Sequence, residues 1–121
     1  MIATGRVTFE VKRGGTVSWL YEATSGDPSA AQNLVSKLKP IAHAEASLPG
    51  DEVDAVATLS AAHAAAGAGA LAGWLVTLTD TVSAALEPGF YASDLAYDFG
   101  GETFVTHDAV ILEVLPAISV P

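Results

Sequence analysis

Arg6 to Lys12 alternates strictly between polar and apolar positions, with Val7, Phe9 and Val11 on one face and Arg6, Thr8, Glu10 and Lys12 on the other. A period of two is that of a strand with one buried face. Gly14-Gly15 follows, able to supply the positive φ of a tight turn, and Val17, Trp19 and Tyr21 then resume the apolar face. Residues 6 to 23 therefore predict a β-hairpin. Ser25-Gly26-Asp27-Pro28-Ser29 is a turn cluster. In the next stretch Val35, Lys37, Lys39 and Ile41 alternate against Leu34, Ser36 and Leu38, while Pro40 opposes a helix. Paired lysines and a proline are devices that protect exposed sheet edges, so 33 to 43 predicts an edge strand.

Ala46-Ser47-Leu48-Pro49-Gly50-Asp51 is a second turn, and the Ala-rich stretch after it admits two readings. Alanine propensity and the acidic residues at its start favour a helix over 52 to 66. Val53, Ala55, Ala57 and Leu59 nevertheless alternate with Asp54, Val56, Thr58 and Ser60, as in a strand. From Gly73 to Asp80 the pattern is again a strand, with Trp74, Val76 and Leu78 on one face. One helical turn fits Thr81 to Leu86, capped by Asp80 or Thr81.

Leu86-Glu87-Pro88-Gly89-Phe90-Tyr91 has the order of a tyrosine corner: a turn ending in Pro88-Gly89, then an aromatic pair opening a strand. In such a corner the ring of Tyr91 lies in the core and its hydroxyl returns to a backbone group a few residues upstream. Tyr91, Ser93, Leu95 and Tyr97 then alternate with Ala92, Asp94, Ala96 and Asp98, and Gly100-Gly101 closes a second hairpin. The last strand, from about Glu102 to Leu115, is long enough to require a bend near His107-Asp108. These elements predict an all-β, immunoglobulin-like antiparallel sandwich of about seven strands, with room for a short helix in 52 to 72 or 81 to 86. Trp19 and Trp74 are expected in its core.

The 121 residues predict a single domain spanning 1 to 121. Its folded surface should be roughly 6,100 Å² against roughly 17,800 Å² unfolded, enough burial for a core without metal or disulfide. Cysteine is absent, which excludes thiolate chemistry. The opening Met1-Ile2-Ala3-Thr4-Gly5 has no basic segment leading into an apolar run, so the chain is expected to fold in the cytoplasm where it is made.

The net charge of −9 is unevenly placed. Arg6, Lys12, Arg13, Lys37 and Lys39 share the first 39 residues with three acids, giving +2, while the other 82 residues carry eleven acids and no base, giving −11. Such a surface repels nucleic acid and anionic membrane, and nothing in the Ala-rich stretch has the flanking anchors of a membrane span.

No catalytic constellation is present. His43, His63 and His107 lack metal-ligand spacing, so no metal or other cofactor is expected. Asp94, Asp98 and Asp108 flank the last hairpin, but their alternation fits a solvated outer face better than a paired-carboxylate or Ca²⁺ site. Gly67-Ala68-Gly69 lies outside any βαβ unit and is no dinucleotide fingerprint. A sugar-binding face would want exposed aromatics on one sheet, and Phe90, Tyr97 and Phe99 are the candidates.

Three stretches carry a resemblance: Val7-Thr8-Phe9-Glu10-Val11-Lys12-Arg13-Gly14-Gly15-Thr16, Leu34-Val35-Ser36-Lys37-Leu38-Lys39-Pro40, and Leu86-Glu87-Pro88-Gly89-Phe90-Tyr91-Ala92-Ser93-Asp94-Leu95. Together they resemble the small immunoglobulin-like proteins encoded among tail and baseplate genes of tailed bacteriophages and prophages, with Gly15 where that family usually has Asp. The resemblance implies a non-enzymatic virion component. Its partners would be other virion proteins or copies of itself, in a homo-oligomer or a larger assembly. The competing expectation is a stand-alone recognition module such as a carbohydrate-binding sandwich.

Overall fold

In the computed structural model, residues 6–23, 27–67, 71–106 and 108–118 are described. They form nine strands, one short α-helix and a 3-10 turn at Pro28–Ala30: β1 (Arg6–Lys12), β2 (Val17–Glu22), β3 (Gln32–Ile41), β4 (Ala57–Ala64), β5 (Gly73–Leu78), α1 (Asp80–Ala84), β6 (Gly89–Ser93), β7 (Ala96–Phe99), β8 (Glu102–Val105) and β9 (Ala109–Leu115). The pairing order is β1-β9-β6-β3-β4-β5-β2, with β7 and β8 forming a ribbon beside β3. The all-β sandwich expected from the alternation is the observed class, with nine strands rather than about seven.

β4 joins the two layers. Its residues Ala57 to Leu59 pair with β3, whereas Ser60 to Ala64 pair with β5. One layer is thus β1, β9, β6, β3 and the start of β4; the other is the end of β4 with β5 and β2. Between them lie Trp19, Leu38, Leu59, Trp74, Val76, Leu78, Leu86, Tyr91, Leu95, Leu112 and Val114, all buried. Both tryptophans occupy the core, as their strand positions implied.

Three expectations are corrected, and one that the sequence left open is decided. Residues 6 to 23 are not a hairpin, because β1 pairs with β9 and β2 pairs with β5, in opposite layers. Gly14 does take a positive φ of 87°, but the turn it makes carries the chain across the sandwich. Ser83 fixes that turn, accepting from Gly14 N–H at 3.1 Å and donating to the Gly15 carbonyl at 2.6 Å, while Arg13 donates to the Ala84 carbonyl. The sheet is not wholly antiparallel either, since β1 and β9 run parallel.

β3 is an interior strand rather than an edge, with β6 and β4 on its two sides. Pro40 is tolerated because backbone groups alternate sides along a strand. Leu38 presents its carbonyl to β4's side, where Val56 N–H reaches it, so Pro40 presents its missing N–H to the same side, two residues on, where β4 pairing has ended. The Ala-rich stretch is strand, not helix, over Ala57–Ala64. Its inward positions Ala57, Leu59 and Ala61 pack on the core while the strand is paired first to β3 and then to β5, an environment that overrides helix propensity. Residues 68 and 69 of the Gly67-Ala68-Gly69 motif fall outside the described residues.

The helical turn forms at Asp80–Ala84, one residue earlier than expected, because the Thr79 hydroxyl caps it by accepting from Val82 N–H. The bend near 107 divides the last strand into β8 and β9; His107 itself lies outside the described residues. β9 is buried on successive residues Ala109 to Leu112. The long connection from 42 to 56 folds back over this layer's outer face, tied by Arg6 to the Ala44 and Ala46 carbonyls and by Lys39 to the Gly50 carbonyl.

Candidate functional site

The chain direction sorts the connections between two ends of the sandwich. At one end lie the β1–β2 turn, α1 and the Pro88-Gly89 corner. The β2–β3 connection, the β4–β5 connection and the β7–β8 hairpin share the other, since β2 and β4 both finish opposite Gly73, where β5 begins. Loops held at one end of a rigid sandwich are a usual place for recognition.

Local chemistry fixes this end. The Trp74 indole N–H donates to the Pro28 carbonyl at 3.0 Å, pinning the β2–β3 connection to β5. A Cβ at Gly73 would run into the Tyr21 carbonyl, so only glycine lets β5 start this close to β2. Glu22 accepts from Leu71 N–H at 2.8 Å and ties down the β4–β5 connection. On the ribbon, Asp98 accepts from Asn33 Nδ2 at 2.8 Å and from Thr103 Oγ1 at 2.7 Å. These bonds hold the Asp98 carboxyl below its ordinary range. Asn33 sits at φ 54°, at a shift of register between Gln32 and Val35, a conformation asparagine tolerates better than most residues.

Gly100 and Gly101, at φ 61° and 83°, form the two-residue turn that sets Phe99 opposite Glu102 and Tyr97 opposite Phe104. Tyr97 stacks on Trp74 at 4.5 Å and on Phe104 at 5.8 Å between ring centroids. Asp27, Pro28, Trp74, Tyr97, Phe99 and Phe104 line a cleft of about 220 Å³. Phe99, Phe104 and Val105 remain 39%, 41% and 52% exposed, and β8 pairs with β7 alone among the described residues. The end is therefore an aromatic cleft beside an open strand edge.

Asp27 accepts from both Ser29 N–H and Ser29 Oγ through Oδ1, which lowers its pKa and keeps it ionised. The Trp74 N–H is engaged by Pro28, so the polar groups left to the cleft are the Asp27 carboxylate and the Tyr97 hydroxyl.

A larger hollow of about 480 Å³ lies on the outer face of the β3-β6-β9 layer. Its floor is Ala92, Ala96 and Ala109, roofed by Leu48 and Pro49. Lys39 is tied to the Gly50 carbonyl, and burial raises the Asp94 carboxyl against the opposing pull of Lys39. Nothing there converges on a reacting atom.

Of the aromatics singled out from sequence, Tyr97 and Phe99 meet in the cleft. Phe90 does not; it sits on β6 opposite Ile41 and Glu113. Phe104 and Asp27 were missed, although counting outward from a two-residue Gly100-Gly101 turn would have placed Phe104 across from Tyr97. Asp94 and Asp98 lie apart in role, Asp98 bracing the ribbon and Asp94 lining the hollow. Among the described residues no group of three or more metal-ligating side chains gathers. Pro88, Gly89 and Tyr91 form the corner at the opposite end, where the Tyr91 hydroxyl donates to the Glu87 carbonyl at 2.6 Å. No family model and no curated protein matches the chain.

Proposed function

We propose that the chain is a non-enzymatic binding domain that docks onto a larger assembly through the loop end carrying the aromatic cleft and the β8 edge. The observation behind this reading is the exposed apolar ribbon, Phe99, Phe104 and Val105, braced by the Asp98 hydrogen bonds and by Tyr97 stacking on Trp74. Exposed aromatics on a braced surface are what protein interfaces use as anchors. The assembly to which the sequence resemblance leads is a phage or prophage particle, reached after synthesis in the host cytoplasm, with other virion proteins or further copies of the chain as partners. The uneven charge, −11 over the last 82 residues, disfavours contacts between like surfaces and favours a partner of opposite charge.

Light scattering over a concentration series, with and without the products of adjacent genes, tests the reading. Complex formation that is lost in a Phe99→Ser, Phe104→Ser double variant supports it. A strict monomer that binds none of those products but turns over a small molecule refutes it.

One feature favours a second reading, a carbohydrate-binding module: the Trp74, Tyr97 and Phe104 rings stack beside an open cleft. Saccharide binding at this cleft in the absence of any protein partner would select it.

A further inference from the structure

Resting on the docking reading above, we infer that the aromatic cleft receives a single cationic side chain, arginine or lysine, from a basic segment of the partner protein. Size sets the first limit. At about 220 Å³ the cleft is smaller than the roughly 300 Å³ at which pockets begin to enclose whole small molecules, so it accommodates one side chain.

Chemistry selects which one. The walls are Phe99, Phe104, Tyr97 and Pro28, and the charged group at the rim is the Asp27 carboxylate. Aromatic faces attract cations through their quadrupole, and a carboxylate strengthens that preference. Asp27 reaches Ser29 through Oδ1, and no side chain within hydrogen-bond distance of Oδ2 is found among the described residues. A neutral sugar ring would instead need several convergent donors and acceptors. Here the Trp74 N–H is engaged by Pro28.

The surroundings point the same way. Among the described residues of this end, 22–23, 27–35, 60–67, 71–74 and 95–106, stand Glu22, Asp27, Asp98 and Glu102 with no lysine or arginine, and the one basic side chain is His63, close enough to act on the Asp27 carboxylate. An incoming cation therefore meets an attractive field before contact, and an anion or a second acidic surface meets a repulsive one. Of the chain's five lysines and arginines, Lys12 and Arg13 lie beside the β1–β2 turn at the opposite end, Lys37 and Lys39 line the outer hollow, and Arg6 is held by the Ala44 and Ala46 carbonyls.

The test uses the full chain, isotopically labelled, titrated by nuclear magnetic resonance with capped glycine-flanked peptides carrying one central arginine, lysine or citrulline, and separately with a neutral glucose oligosaccharide. The arginine and lysine peptides should shift the signals of Asp27, Phe99 and Phe104, with the uncharged citrulline peptide weaker by about threefold to tenfold. Raising the salt concentration should reduce the difference. Asp27→Asn keeps the oxygen that accepts from Ser29 and should bind the arginine peptide no better than wild type binds citrulline. Should that variant rearrange the loop, Phe104→Leu decides instead: it keeps apolar volume but removes a ring face, and should weaken the arginine peptide more than the citrulline one. Equal binding of arginine and citrulline, or no shift with any peptide, overturns the inference, as does a cleft that responds to the oligosaccharide alone. A partner that docks on this end while the arginine and lysine peptides fail would leave the docking reading standing and remove only the cationic anchor.

Discussion

The hydroxyl of Tyr91 donates to the backbone carbonyl of Glu87, four residues upstream, at 2.6 Å, with the ring buried among core side chains. This bond closes the connection from α1 to β6 and so fixes how the chain passes from one layer of the sandwich to the other. Because the carbonyl has no strand partner to fall back on, its loss should be felt. Tyr91→Phe is expected to destabilise the fold by about 1–2 kcal/mol, measured as a shift in chemical denaturation midpoint at unchanged slope. An unchanged midpoint would remove the bond from the account of stability.

Tyr21 gives the opposite expectation. Its hydroxyl is buried with no hydrogen bond of good geometry among the described residues, and burial pushes its pKa up, against a smaller opposing pull from the nearby Trp19 and Thr106 side chains. Deleting a buried hydroxyl that satisfies nothing removes a desolvation cost. Tyr21→Phe should leave the denaturation midpoint equal to or above that of the wild type, and a loss comparable to that of Tyr91→Phe would show that the hydroxyl has a partner.

Alkali should weaken the fold for a related reason. Burial raises the pKa of both Tyr21 and Tyr91 above the ordinary value of 10.0, with the Glu87 charge adding to the rise at Tyr91. A group whose folded pKa is raised contributes stability that is complete below the unfolded value and is lost as pH climbs through the folded one. Stability should therefore be level up to about pH 10 with respect to these groups and fall above it. In Tyr91→Phe the fall should be shallower, which denaturation at a series of alkaline pH values will read.

The ribbon depends on Asp98, and Asp98 depends on Asn33 and Thr103. Asn33→Ala removes a donor and places alanine at a positive φ of 54°. The midpoint of Asp98 should rise, by nuclear magnetic resonance titration, since the hydrogen bonds that lower it come first from Asn33. Amide exchange should also quicken in β7 and β8 while β6 and β9 keep their protection. Unchanged protection of β7 and β8 in Asn33→Ala would mean that the ribbon is held by its aromatic stack alone.

What could be read from the sequence divides along the range of the interactions. The corner was legible because Pro88, Gly89 and Tyr91 act within a few residues of one another. The Gly100-Gly101 hairpin was legible for the same reason. Gly14-Gly15 was misleading: two glycines announce a sharp turn but not whether the flanking strands pair, and here Ser83, nearly seventy residues away, draws the turn onto α1. Pro40 looked like an edge marker, yet it stands just beyond the last β4 pair, a fact that only the register of β3 and β4 supplies. Alanine propensity could not decide residues 57 to 64, because the neighbours that make them a strand come from β3 and β5. The cleft was half legible: Tyr97 and Phe99 alternate visibly, but Asp27 joins them only through the bond from Trp74 to Pro28.

The central claim is that binding resides at the loop end and not at the corner end. The most direct measurement compares calorimetric binding of an identified assembly partner to the Phe99→Ser, Phe104→Ser variant and to Lys12→Ser, an exposed change beside the β1–β2 turn. The account predicts at least about tenfold weaker binding for the first, as anchors lost from an interface cost more than about 1 kcal/mol each, and wild-type affinity for the second. Wild-type affinity in the aromatic variant, with loss in Lys12→Ser, would contradict it.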